Sequence, residues 1–292
     1  MKRFVRKPIK TLLIISFKET SMLICPKCGS ALIREGKSFL CPQRHCFDIA
    51  KSGYVNLLTA DRMNSALPGD NKLLVQSRKK FLDKGYYKPL ADALCSTVLR
   101  YAQTGCTVLD AGCGEGWYTE KIAQALEDIN AEILGIDISK FAADYAARRT
   151  KAAQFAVASV FHMPVETESC DIVTSLFAPW CGEEILRVLK GGGLLIIVIP
   201  SERHLWQLKC AVYDEPYPNE VKDYGLDGFE FLGTEKVAGE IFLPSNEDIK
   251  ALFSMTPYFY KTGAEGHERL EKLERLATEI GFEVLTYRKI SG

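Results

Sequence analysis

No stretch of the 292 residues reaches the roughly twenty consecutive apolar positions that a membrane span requires. The nearest is residues 11–17 (TLLIISF), behind Lys2, Arg3, Arg6, Lys7 and Lys10. That run is about half the core of an ordinary export signal and no small-residue cleavage site follows it. Residues 1–21 therefore read as a disordered or artefactual extension, with Met22 as the start. Net charge is also missing, since 37 Lys and Arg balance 37 Asp and Glu. There is no internal repeat and no low-complexity tract. Nor is there the cysteine framework of a small secreted protein: of ten cysteines, four cluster near the N-terminus and six are scattered singly through apolar segments. That usage fits a reducing cytoplasm.

What is present supports a globular chain. With 47% hydrophobic and 25% charged residues, it can bury an ordinary α/β core and hold a small second domain beside it. The zero net charge conceals a split: residues 1–58 hold 11 Lys and Arg against 3 Asp and Glu, and residues 59–90 hold 7 against 3. The N-terminal third would attract a polyanion, although much of the excess lies in residues 1–21.

The cysteine-rich segment 22–58 gives way to polar residues 59–71, with the turn signal Pro68-Gly69, which read as an inter-domain linker. Residues 72–90 are basic and periodic enough for a helix ending at Pro89, so 59–90 is linker plus helix. From Cys106 onward, apolar runs at 106–110, 132–137, 154–158, 171–176 and 193–199 alternate with helical segments near 116–128, 139–149, 183–190 and 202–213. This predicts a doubly wound, largely parallel sheet, an α/β Rossmann-like domain over 91–292. Pro216, Pro218, Gly225 and Gly228 break the alternation over 214–244, which reads as an irregular cap over the strand ends. Ser245 is positioned to cap a following helix, and residues 282–287 read as an edge strand.

The first apolar run leads into a glycine-rich turn, Asp110 to Gly116, with Gly112, Gly114 and Gly116 at a strand-to-helix junction. Such a turn alone is weak. Nicotinamide and flavin proteins use a related one, but it receives a pyrophosphate, and Asp110 would set negative charge beside it. S-adenosylmethionine brings an ammonium and a sulfonium instead, for which a carboxylate is attractive. Asp137 ends the next strand, where one carboxylate accepts both ribose hydroxyls, and Ser159 follows the third strand beside the adenine edge. Singly, Asp137 could be a helix cap and Ser159 a turn residue; with the glycine turn they point to S-adenosylmethionine.

Cys25-x2-Cys28-x12-Cys41-x3-His45 is a four-ligand zinc spacing with two ligands on each of two short arms. A module this short cannot bury enough apolar area to fold alone, so the metal would be structural. A redox Cys-x-x-Cys lacks its βαβ context here. Cys46, next to His45, offers an alternative fourth ligand at acceptable spacing.

Residues 25–29 (CPKCG) and 41–58 (CPQRHCFDIAKSGYVNLL) closely resemble the RlmA family of bacterial 23S rRNA (guanine-N1)-methyltransferases. So do residues 68–70 (PGD), 78–90 (RKKFLDKGYYKPL), 108–119, 200–209 (PSERHLWQLK) and 255–257 (MTP), which extend the resemblance across nearly the whole chain after the extension. It implies a class I methyltransferase with a small N-terminal zinc-ribbon-like domain over 22–58 that helps recognise RNA. Zinc would be held by Cys25, Cys28, Cys41 and His45, which favours His45 over Cys46. Cofactor contacts would come from Tyr87, Gly114, Glu115 and His204; composition and pattern alone read Tyr87 as a core aromatic and His204 as a helix-start residue. The implied substrate is a guanine in a 23S rRNA hairpin lining the peptide exit tunnel, and the implied assembly a homodimer; some relatives help protect the ribosome from tylosin-like macrolides.

Guanine N1 carries a proton that must leave before its lone pair can attack. Glu115, Asp171 and Glu183 lie in regions where a base would stand, and none is distinguished. Residues 177–180 (FAPW) follow the fourth strand, where Phe177 or Trp180 would stack on an extruded purine; a cis or rigid proline turn with core aromatics is the alternative. A small-molecule methyltransferase would share every cofactor motif but has no use for the zinc module. A non-enzymatic zinc adapter would be expected to have lost Asp110, Asp137 or the turn, and it keeps all three.

Overall fold

The computed structural model describes residues 22–60, 68–220 and 224–290. The extension 1–21 and parts of the linker (61–67) and of the cap (221–223) lie outside the described residues. A three-stranded antiparallel sheet, β1 (Ile33–Glu35), β2 (Ser38–Leu40) and β3 (Cys46–Asp48), forms the N-terminal module. The main sheet has eight strands: β4 (Val55–Asn56), β5 (Thr107–Ala111), β6 (Glu132–Asp137), β7 (Gln154–Val157), β8 (Cys170–Leu176), β9 (Leu189–Pro200), β10 (Phe229–Leu243) and β11 (Leu276–Lys289). Their order is β10-β11-β9-β8-β5-β6-β7-β4, with β11 antiparallel to both neighbours and the pairs from β9 to β4 all parallel.

The five parallel strands expected from the apolar runs are all present. Alternate residues feed opposite faces, as the two-residue period of a strand requires: Val108 and Ile196 join one core, Leu109 and Ile197 the other. The chain passes from β5 to β6 and β7 on one side, then crosses to β8 and β9 on the other. The order reverses between β5 and β8, and the carboxyl ends of those strands are where an open α/β sheet leaves a crevice.

Helix α1 (Lys72–Asp83) is capped by Asn71, which accepts from the Leu74 amide, and α2 (Lys88–Tyr101) follows it. The sequence reading of one helix ending at Pro89 is corrected: Gly85, in the left-handed region at φ +78°, ends the first helix and Pro89 opens the second. Proline suits a first turn, where its missing N–H would be unpaired anyway. Helices α3 (Trp117–Ala125), α4 (Lys140–Arg149), α5 (Gly182–Val188) and α6 (Trp206–Val212) link the strands, and α7 (Asn246–Ser254), α8 (Tyr258–Lys261) and α9 (Ala264–Glu271) precede β11. Ser245 caps α7 by accepting from the Asp248 amide, as its position foretells.

Two further expectations are overturned. Residues 229–243 of the cap form β10, a long strand broken by a bulge between Phe231 and Gly233. Residues 282–287 belong to β11, which is flanked on both sides, so β10 is the edge. Pro216, Pro218, Gly225 and Gly228, the signals behind the reading of an irregular cap, all precede β10, while within the strand Glu235, Lys236 and Glu240 interrupt the apolar pattern, as charges do on edges that must not recruit a partner.

The N-terminal module is joined to the main sheet. β4 pairs with β7, Met22 and Leu23 run against residues 164–166, and Met22, Leu23, Leu32, Phe39 and Val55 share a core with Leu109, Leu134 and Val173. Among the described residues no helix is long and apolar enough to cross a membrane.

Candidate cofactor crevice and metal centre

At the carboxyl end of β5 the turn places Gly112, Gly114 and Gly116 all in the left-handed region, at φ +85°, +56° and +80°. Glycine is required twice over. A Cβ on Gly112 would stand 2.4 Å from that of Ala178, and one on Gly116 2.8 Å from that of Ala146. The amides of Gly112 and Cys113 both donate to the Ile136 carbonyl, at 2.8 and 2.9 Å, which fastens the turn to β6.

Asp110 is buried beneath this turn and accepts from the Thr119 and Thr174 hydroxyls at 2.6 and 2.9 Å. Burial raises its pKa; the two hydroxyls oppose the shift and the charge of Asp137 adds to it. Asp137, ending β6, accepts from the Gly114 amide at 2.9 Å with one oxygen and from the Ser139 amide at 2.7 Å with the other. Ser139, not Asp137, caps α4. Burial raises the Asp137 carboxyl too, against the pull of these amides and of Arg78. Ser159 stands just past β7, where the Ala158 amide donates to the Asp137 carbonyl, and its hydroxyl accepts from the Phe161 amide.

Glu115 is buried, and burial raises its pKa while Arg78 and Arg149 oppose the rise. Arg149 lies behind the turn, its Nε donating to the Glu115 carbonyl at 3.2 Å and its Nη1 2.8 Å from Asp83. Arg78, on α1, pairs with Asp70 at 2.6 Å.

Tyr87 and His204 come together, both buried, beyond the carboxyl end of β9, although 117 residues apart: Tyr87 Oη lies 3.5 Å from His204 Nε2. The Phe282 ring sits against both, at centroid distances of 4.9 and 4.6 Å. The Gly281 amide donates to His204 Nδ1 at 3.2 Å, so the neutral ring carries its proton on Nε2, toward Tyr87. Burial, helped by the charge of Lys209, pushes His204 down to about 3. Burial likewise pushes the Tyr87 phenol up.

Phe177 follows β8 in the left-handed region at φ +54°, a strained setting for a side chain of its size, and its ring is exposed at 5.7 Å from that of Phe282. Trp180 packs against the core instead, and no peptide among the described residues is cis. Of the three carboxylates considered as a base, Asp171 stands at the amino end of β8, away from the crevice, held by Thr107 and by Lys190 at 2.7 Å. Glu183 is exposed in the first turn of α5. The contributions of Thr119, Thr174 and Phe282 are not read from the sequence, where each is an unremarkable core position.

In the N-terminal module the donor atoms of Cys25, Cys28, Cys41 and His45 all lie within 4.8 Å of one another. His45 Nδ1 is 3.4 Å from both Cys25 and Cys41 Sγ, and the Cys28 and Cys41 sulfurs are 3.6 Å apart. A zinc tetrahedron with Zn–S of about 2.3 Å and Zn–N of about 2.0 Å has edges of about 3.5–3.8 Å, so the donor set fits that ion. Cys46 is exposed and outside the cluster, which removes it as the fourth donor.

A doubly wound sheet with this turn and a zinc-ribbon module beside it defines an S-adenosylmethionine-dependent methyltransferase carrying a structural zinc. The family model described as RlmA, N-terminal, a zinc ribbon, matches residues 23–66, and a methyltransferase-domain model matches residues 102–241. A Streptomyces fradiae protein named 23S rRNA (guanine(748)-N(1))-methyltransferase is 37% identical over 65% of this chain and 67% of its own length. Proteins provisionally named 23S rRNA (guanine-N(1)-)-methyltransferase from Bacillus subtilis (strain 168) and Micromonospora griseorubida are 33% and 32% identical, over 67% and 64% of this chain and 70% and 68% of theirs. The chain belongs to the RlmA family.

Proposed function

We propose that this protein transfers the methyl group of S-adenosylmethionine to N1 of a guanine in 23S rRNA, in a hairpin lining the peptide exit tunnel, acting as a cytoplasmic homodimer. The observation that carries the reading is the joining of the ribbon to the methyltransferase sheet. Residues 22–58 present five exposed cations, Lys27, Arg34, Lys37, Arg44 and Lys51, against two exposed acids, Glu35 and Asp48, on a module whose last strand, β4, lies in the sheet that forms the crevice. A small-molecule methyltransferase has no use for such a surface, whereas phosphates do. The relatives named above carry the guanine-N1 designation in their names.

In this reading residues 22–58 recognise RNA and are held by zinc on Cys25, Cys28, Cys41 and His45. Residues 59–90 lead into the catalytic domain and bring Tyr87, and residues 91–292 carry the methyltransferase. Asp110, Gly112, Gly114, Glu115, Asp137 and Ser159 line the cofactor, with Tyr87 and His204 closing its methyl end. The exposed ring of Phe177 offers the extruded guanine a stacking face. Rate comes mainly from holding N1 in line with the methyl carbon and sulfur where water is excluded. The residues' part is to bind, orient and shut out solvent; the bound cofactor supplies the methyl group.

The test is transfer of tritium from labelled S-adenosylmethionine to unmodified 23S rRNA, to free nucleotides or to small phenols. Label in rRNA alone, with a primer-extension stop at a guanine, is the expected result. Label in phenols, or none in any acceptor, overturns the assignment.

A further inference from the structure

S-adenosylmethionine is a zwitterion at its amino-acid end, and the crevice described above answers only part of it. Asp110, Asp137 and Glu115 supply negative charge for the ammonium and the ribose, but a carboxylate arriving at the same turn meets three of its own kind. Some cation must face it. Two arginines approach the turn, and their surroundings differ.

Arg149 is closed in. Its Nη1 is 2.8 Å from Asp83 and 3.5 Å from Glu120, its Nε donates to the Glu115 carbonyl, and its buried Nη2 faces Glu115 Oε1 at 3.8 Å. Arg78 is on the open side. Its Nη2 is held by Asp70 at 2.6 Å, and its Nη1 lies 3.7 Å from the point where a Cβ on Gly114 would stand, over the glycine turn itself. About a quarter of its side chain remains exposed. Asp70 is itself anchored, since its carbonyl accepts from the Ser139 hydroxyl at 2.7 Å and Gly69 packs against Ile138 and Ser139. The guanidinium is therefore held in place, with Nη2 fixed by Asp70 and Nη1 lying over Gly114. Burial alone would disfavour its charge, but Asp70, Glu115 and Asp137 outweigh burial and keep it protonated.

We propose that Arg78 binds the carboxylate of the methionine moiety of S-adenosylmethionine, oriented for that contact by Asp70. A charge-assisted contact from a guanidinium to a carboxylate is directional and matches its planar fork. The inference rests on the reading of this turn as the cofactor site, and α1 is thereby part of the site although it precedes the methyltransferase strands.

Calorimetric titration of the full-length protein with two ligands tests it. S-adenosylhomocysteine keeps the amino-acid end, whereas 5′-methylthioadenosine keeps the nucleoside and thioether but lacks the carboxylate and the ammonium. Arg78→Met should weaken S-adenosylhomocysteine about 10- to 100-fold, the range of a lost charge-assisted hydrogen bond, and leave 5′-methylthioadenosine within about twofold of the unaltered protein. Arg78→Lys, which keeps the charge and loses the fork, should fall between. Equal losses for both ligands would mean that Arg78 only supports the fold, and no loss for either would mean that it does not face the carboxylate; each result overturns the proposal. Failure of the unaltered protein to bind either ligand would instead fell the cofactor reading of the turn, and this inference with it.

Discussion

Asp110 and Asp137 end neighbouring strands and carry the same functional group, yet their surroundings assign them different tasks. Asp110 is enclosed, its oxygens occupied by Thr119 and Thr174. Asp137 accepts one backbone amide on each oxygen, and since a carboxylate offers about four acceptor positions, two remain, as many as the proposed pair of ribose hydroxyls would need. Asp110→Asn should lower thermal stability, by about 1–3 kcal/mol for a disturbed buried acceptor, with a smaller effect on ligand affinity. Asp137→Asn should do the reverse, weakening S-adenosylhomocysteine about tenfold or more with little change in melting temperature; paired calorimetry and thermal denaturation that showed the same profile for both variants would refute the division. His204 supplies a pH signature. Its folded-state pKa of about 3 lies below the ordinary 6.5, so between these values the unfolded chain binds the extra proton. The histidine therefore contributes stability that is complete above 6.5 and lost as pH falls toward 3. The raised Asp110 and Asp137 carboxyls act with the opposite sign, contributing stability below their ordinary 3.8 that is lost as pH rises through their folded values. His204→Gln removes only the first contribution. Urea denaturation from pH 6.5 to 4 should show a shallower fall in stability for the variant, by up to about 1.4 kcal/mol per pH unit; parallel curves would show that His204 is not held neutral.

The crevice is made where two strand ends meet, so the elements constrain each other. Gly112 after β5 and Ala178 after β8 leave no room for a second methyl group between them. Gly112→Ala should cost about 2–4 kcal/mol, combining the left-handed backbone penalty with overpacking, and should displace the segment bearing Phe177. Adding Ala178→Gly should restore the overpacking part and leave the backbone part, so a double variant no more stable than the single one would disprove the contact's role. The central strands and the glycine turn were legible because buried parallel strands are continuous apolar runs and the turn has a fixed grammar. The edge of the sheet was not. β10 carries its apolar residues at irregular intervals around Glu235, Lys236 and Glu240, and with it unseen β11 lost a neighbour and passed for an edge. The meeting of Tyr87 and His204 was not legible from pattern, because a core aromatic and a helix-start histidine 117 residues apart give no sign of contact until the sheet brings them within 3.5 Å; only the family resemblance singled them out. Arg78 stands in the sequence only as the first residue of the family-like segment 78–90, and nothing there ties it to Gly114, 36 positions further along the chain.

At the scale of the whole molecule, the zinc module is not a pendant. β4 extends the sheet beside β7, and Tyr54 packs with Cys113, Ala146 and Phe155, residues that also surround the glycine turn. A gap in that cluster therefore reaches the cofactor side within one layer of side chains, because packed interiors transmit displacement. If zinc holds the two arms of the module together, its removal should loosen β4 and Tyr54 and then the turn. The variant Cys41→Ser should lose the bound zinc, whereas Cys46→Ser should keep it, since Cys46 is exposed and outside the cluster. The zinc-free protein should then unfold in a single transition at lower temperature and bind S-adenosylhomocysteine several-fold more weakly. A module that served only as an RNA-binding appendage would behave otherwise, melting in a separate early transition and leaving cofactor affinity untouched. Differential scanning calorimetry with a zinc assay on the same samples separates the two, and the shared core argues for the first: Leu23, Leu32 and Val55 lie in one cluster with Leu109 and Leu134, so the ribbon cannot open without exposing the strands that carry Asp110 and Asp137.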